Sequence, residues 1–179
     1  MRRGTRKIAA HFVPVVVISG ILFLSGCGSP ISGLVSANTG NLSTDTTNQM
    51  AREVLRLTNQ ERSKSGLSTL AWNDALALAG ADHCQDMIDR NYFAHESPDG
   101  SNPGSRGTAA GYQWQLIGEN IAAGQETPQA VVQGWMNSKD HRENILRAEF
   151  KDLGVGLRAA PDGRIYWAQE FGTPFSQTW

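Results

Sequence analysis

Toward its C-terminal end the chain reads Leu153-Gly154-Val155-Gly156-Leu157, then Pro161-Asp162-Gly163, then Ile165-Tyr166-Trp167-Ala168-Gln169. Two short apolar runs joined through a Pro-Asp-Gly turn predict a pair of strands closed as a hairpin. Upstream, helical periodicity dominates. Strands that follow helices, instead of alternating with them, favour an α+β fold over a doubly wound parallel sheet.

The first helix is expected from about Asn48 to Ser65, with Met50, Val54, Leu57 and Glu61 on one face. Arg52, Arg56, Arg62 and Lys64 fall largely elsewhere, and Gly66 offers the stop. The chain then crosses to Trp72, and Asn73 is placed to cap a second helix reaching about Arg90, whose stripe is Leu76, Ala79, His83 and Met87. Arg106 to Ala110 reads as a short helix closed by Gly111, and Gln115 to Ala122 as a strand or extended bend carrying Glu119. Thr127-Pro128 supplies a hydroxyl cap and a first-turn proline for a helix ending near Ser138, its apolar face Val131, Val132, Trp135 and Met136. His141 follows in a polar turn.

The N-terminal region reads differently. Arg2, Arg3, Arg6 and Lys7 precede an apolar run from Phe12 to Leu24, too short for a comfortable membrane span and arranged like a secretory signal. It ends in Leu24-Ser25-Gly26-Cys27, which resembles the bacterial lipobox, with Cys27 as the lipidated residue. The expected organisation is a lipoprotein signal peptide over residues 1–26, a Ser/Thr/Asn/Gly-rich tether over 27–47 and one domain over 48–179. Setting those four basic residues apart from the 16 Lys and Arg leaves 12 against 17 Asp and Glu, a formal charge of −5 where the whole chain carries −1. No basic footprint for nucleic acid is present. Cys84 has no cysteine partner but Cys27, so no disulfide framework is expected inside the domain.

Several short motifs occur in order along the domain: Leu57 to Arg62 (Leu-Thr-Asn-Gln-Glu-Arg), Leu70-Ala71-Trp72-Asn73, Phe93-Ala94-His95, Gly118-Glu119-Asn120-Ile121-Ala122, Trp135-Met136-Asn137-Ser138, His141-Arg142-Glu143-Asn144-Ile145-Leu146 and Tyr166-Trp167-Ala168-Gln169. Together they resemble the cysteine-rich secretory, antigen 5 and pathogenesis-related protein superfamily, in its bacterial branch, over about Met50 to Phe171. The resemblance implies a three-layer α-β-α sandwich with a central antiparallel sheet and an open cleft. In that family the cleft carries two histidines and two acids and can hold a divalent ion, often zinc. Carried over by position, the metal-binding histidines are His95 and His141 and the first acid is Glu119, which would also be the catalytic base were the domain an enzyme. Where many eukaryotic members have the second acid, this chain has Ser138. Asn120 and Ser138 are expected to line the cleft with Glu119.

Serine cannot supply the missing charge, so a metal would rest on two imidazoles with water completing its shell. Glu119 either holds a bend through backbone amides, orients an imidazole, or acts on a bound water. Ser63, Ser97 and Ser138 do not sit in Gly-x-Ser-x-Gly, and no His-Glu-x-x-His is present. The functional expectation is therefore a lipid-anchored, extracytoplasmic module of the cell envelope binding a lipid, a peptide or a wall fragment. The alternatives are a metal-dependent hydrolase using the same cleft and a lipid or sterol carrier.

Overall fold

The computed structural model describes residues 42–175. Five helices and four strands run in the order α1 (Thr44–Lys64), β1 (Ala71–Trp72), α2 (Asp74–Asp89), α3 (Pro103–Ala109), β2 (Trp114–Ala123), α4 (Pro128–Asn137), α5 (Lys139–Ile145), β3 (Asp152–Ala159) and β4 (Ile165–Pro174). The sheet order is β1-β3-β4-β2. The expected hairpin is present as antiparallel β3 and β4, with β2 antiparallel on the far side of β4. Short β1 adds a parallel pairing of Ala71 with Asp152 and Trp72 with Leu153. The expected α-β-α sandwich is the fold, its sheet antiparallel apart from β1. No helix among the described residues is long and apolar enough to cross a membrane.

Residue alternation on the strands creates the layers. Leu153, Val155 and Leu157 of β3 and Trp167 and Phe171 of β4 join Ala51 and Val54 of α1, Val131, Val132 and Trp135 of α4 and Ile145 of α5 in the larger core cluster. The intervening residues of β3, Gly154 and Gly156, face α2. A Cβ at Gly154 would lie 2.1 Å from the Ala77 nitrogen, and one at Gly156 would lie 2.0 Å from the Ala81 nitrogen, so α2 rests directly on the strand backbone. A smaller cluster of Cys84, Met87, Ile121 and Ala168 seals this second interface.

Local signals set most of the boundaries. Asn73 and Thr127 cap α2 and α4 as expected, accepting from the Leu76 and Ala130 amides, and Pro128 occupies the first turn of α4. α1 starts earlier than expected, because the Ser43 side chain accepts from the Thr46 amide. α3 starts at Pro103, not Arg106, behind a capping box made by Asn102 and Ser105. Arg62 departs from its expected place outside the core face. It is fully buried and donates to the carbonyls of Ser68 at 2.9 Å, Ile145 at 2.8 Å and Arg147 at 2.8 Å, clamping the end of α5 to α1.

Candidate functional site

β2 organises the site because its successive residues point to opposite faces of the sheet. Glu119 points to the α2 and α3 side. Its Oε1 accepts from His95 Nδ1 at 2.6 Å, and its Oε2 accepts from the Arg106 guanidinium at 2.7 Å and lies 3.6 Å from His83 Nε2. Asn120 points to the α5 side. Its amide nitrogen donates to the His141 carbonyl at 3.0 Å and to Gln169 Oε1 at 3.0 Å, while its oxygen accepts from Asn144 at 2.9 Å. Asn144 also donates to the Glu119 carbonyl at 3.1 Å. One dipeptide thus fixes both histidine-bearing segments.

The His95 loop is held from behind. His83, fully buried on α2, donates to the Ala94 carbonyl at 3.0 Å, and Arg106 donates to the His95 carbonyl at 3.0 Å. Tyr92 donates to Asp86 and hydrogen-bonds Ser97 at 2.7 Å, closing the loop on α2. With Nδ1–H donating to Glu119, His95 is a half-exposed ring whose orientation and tautomer are set by a carboxylate.

His141 lies inside α5, not in a turn. Ser138 adopts extended backbone angles between α4 and α5, and Arg142 donates back to the Met136 carbonyl at 2.8 Å to hold that corner. A recess of about 320 Å³ beside the ring is lined by Phe93, Ile121, Trp135, Ser138 and His141 itself. Ser138 therefore lines this recess. Asn120, expected along the cleft, is fully buried beneath it, because all of its amide is committed to α5 and Gln169. Cys27 lies outside the described residues.

The ionisable groups are unequally tuned. Its hydrogen bond to Glu119 raises His95 above the ordinary imidazole value, although burial opposes this. Burial lowers His141, and the nearby charge of His95 lowers it further, so its ring favours the neutral form that can ligate. Burial alone would raise Glu119, but the hydrogen bond from His95 and the charge of Arg106 hold it below the usual carboxylate range. A carboxylate so stabilised is a weak general base.

Reading the sequence alone missed three members of this cluster: His83, Arg106 and Glu170. Glu170 stands directly opposite Glu119 in the β2–β4 ladder and is 1% exposed. Alternation on β4 turns Glu170 to the α2 side while Gln169, which donates to Thr58 at 2.8 Å, takes the other. That alternation was the available signal, but it becomes informative only once the strand partner and register are known.

Among the described residues no group of three or more His, Cys, Asp or Glu side chains is arranged to hold a metal ion. Glu119 is turned toward Arg106 and His95 Nδ1, leaving Nε2 of His95 and the His141 ring as imidazole donors. Two imidazoles are fewer protein donors than a closed zinc cage needs.

Comparison with known proteins agrees with this fold. The chain is 43% identical over 120 residues to the uncharacterized protein YkwD of Bacillus subtilis, a match covering 67% of this chain and 46% of that protein. It is 36% identical to the uncharacterized membrane protein YlbC of Bacillus subtilis, covering 67% of this chain and 33% of that one. The chain thus spans less than half the length of these curated relatives. Among solved structures, an extracellular protein containing an SCP domain from Bacillus anthracis superposes with a TM-score of 0.66 at 38% identity, covering 74% of this chain and 44% of that one. An outer surface protein from Borrelia burgdorferi shares the fold at 20% identity, with a TM-score of 0.67 and coverage of 75% and 98%. The model of the cysteine-rich secretory protein (CAP) family matches residues 55–171, and the chain belongs to that family.

Proposed function

We propose that this protein is a binding module of the cell envelope, an extracytoplasmic domain anchored through lipidated Cys27. Its recess beside His141 receives an apolar part of a lipid, peptide or wall fragment. The neighbouring imidazoles engage the polar part, directly or through a divalent cation such as zinc held by His95 Nε2 and His141 with water. The bound cation would supply positive charge to an anionic or carbonyl oxygen of the ligand.

The observation carrying this reading is the commitment of Glu119. Its oxygens are taken by His95 at 2.6 Å and Arg106 at 2.7 Å, an arrangement that fixes an imidazole and disfavours taking a proton from water. The His141 ring borders an apolar hollow walled by Phe93, Ile121 and Trp135. This favours binding over metal-dependent hydrolysis.

The test is chemical-shift mapping of the mature domain against soluble wall fragments, short peptides and fatty acids. Saturable shifts centred on Phe93, Ser138 and His141 support the proposal. Saturable shifts elsewhere, or turnover of one of these compounds that is lost in Glu119→Gln, would overturn it. For the anchor, blocking lipoprotein processing with a signal-peptidase inhibitor should change the protein's mass. Unchanged mass and membrane association would remove Cys27 from the account.

A second reading, carriage of an acyl chain or sterol, is favoured by a separate depression of about 320 Å³ between α1 and α4, walled by Leu57, Val132 and Met136. Mass spectrometry of lipids retained by the purified protein separates the two readings. A retained lipid displaced by Val132→Trp, with no effect at His141, would favour carriage.

A further inference from the structure

Glu170 is the least expected charge in the molecule. It is 1% exposed, sits in the sheet between Glu119 of β2 and Gly154 of β3, and packs beneath α2. Neither of its carboxyl oxygens receives a hydrogen bond from a recognised donor, although both are buried. Across the β2–β4 ladder it faces Glu119, whose carboxyl is buried with it. Two buried carboxylates facing one another cannot both be ionised, since each loses hydration and repels the other. One proton must therefore sit between them.

The surroundings decide which side holds it. Glu119 has two cationic or proton-donating partners, Arg106 at 2.7 Å and His95 at 2.6 Å, and is built to be negative. Glu170 has no such donor at either oxygen. Burial also pushes its carboxyl well above the ordinary range, with the Glu119 charge adding to the effect.

We infer that Glu170 is a positioning residue: a protonated carboxylic acid that donates its O–H to the Glu119 carboxylate and so fixes the Glu170–Glu119–His95 chain. The third donor completes the coordination of Glu119 and holds it in the rotamer that receives His95 Nδ1–H. His95 Nε2 is thereby aimed at the cleft. The inference requires neither a metal nor a ligand, so it survives or fails apart from the proposed function.

The test uses the mature protein with Glu170→Gln, whose amide can donate to Glu119 in the same shape, and Glu170→Leu, which cannot donate. Infrared spectra at neutral pH should show the carbonyl band of a buried carboxylic acid in the parent protein, lost in both variants. In 15N-labelled histidine spectra, the slowly exchanging His95 Nδ1–H signal should persist in Glu170→Gln and be lost in Glu170→Leu. A parent protein without the acid band at neutral pH would overturn the inference. So would a folded Glu170→Leu protein with an unchanged His95 signal. If Glu170→Leu does not fold, the infrared comparison with Glu170→Gln decides alone.

Discussion

Replacing Asn120 with alanine removes the link between the sheet and the His141 helix. The substitution deletes bonds to the His141 carbonyl at 3.0 Å, to Gln169 Oε1 at 3.0 Å and from Asn144 at 2.9 Å. At a net of about 1 kcal/mol each, these amount to about 3 kcal/mol, and leaving the buried Gln169 oxygen without a donor adds about 1–2 kcal/mol. The expected loss is therefore about 4–5 kcal/mol, within the roughly 5–15 kcal/mol stability of an ordinary domain, so the variant should fold but marginally. Urea unfolding measures the loss, and hydrogen exchange locates it. The amides of Arg142 and Leu146, which donate to the carbonyls of Ser138 and Arg142 at 2.9 Å, should lose protection more than those of α2. A loss below about 1 kcal/mol, or protection falling uniformly, would refute the claim that Asn120 holds α5 in place.

Further outcomes follow from other contacts. Gly156→Ala should destabilise by at least about 3 kcal/mol, because its Cβ would lie 2.0 Å from the Ala81 nitrogen. Gly134→Ala, with nothing within 4 Å, should stabilise α4 by about 0.5–1 kcal/mol, and thermal unfolding compares the two. Glu119→Gln keeps the shape but removes the charge that raises His95, so the His95 titration seen by NMR should move down toward the ordinary 6.5; an unmoved titration would contradict the pairing. The buried His83 should give stability that is whole above pH 6.5 and lost as pH falls through its lowered folded value, whereas His95 should contribute fully below pH 6.5 and lose its contribution as pH rises through its raised value. Urea midpoints against pH for His83→Gln and His95→Gln should differ from the parent in these opposite windows.

What the sequence made legible was what is local. Asn73, Thr127 and Pro128 act within one helical turn, so the starts of α2 and α4 were readable. The β3–β4 hairpin announced itself through alternation and its turn. β1 has only two residues and exists because β3 arrives about eighty positions later, so no local pattern marks it. α5 reads as a polar turn because Lys139 to Asn144 carry no apolar stripe and only Ile145 is buried. Arg62 could not be placed because the carbonyls that neutralise its burial belong to residues 145 and 147.

The site divides in the same way. His95, His141 and Glu119 are candidates from short motifs that resemble a family, and the structure adds what the motifs do not contain. Arg106 and His83 reach Glu119 from two different helices, and Glu170 reaches it through strand register. These are long-range consequences of packing, and each changes the chemistry assigned to Glu119. Read as a lone acid, it was a candidate base. Surrounded by Arg106, His95 and a proton-bearing neighbour, it is an anchor for an imidazole.

Zinc titration of the mature protein by calorimetry, over a pH series, tests most directly whether His95 and His141 serve one cleft. The expected result is about one zinc per chain, affinity rising as pH passes the raised His95 value, and a loss of at least about tenfold in each of His95→Ala and His141→Ala. Binding unaffected by either substitution, or no binding to the parent protein at any pH, would contradict a shared cation site at the two imidazoles.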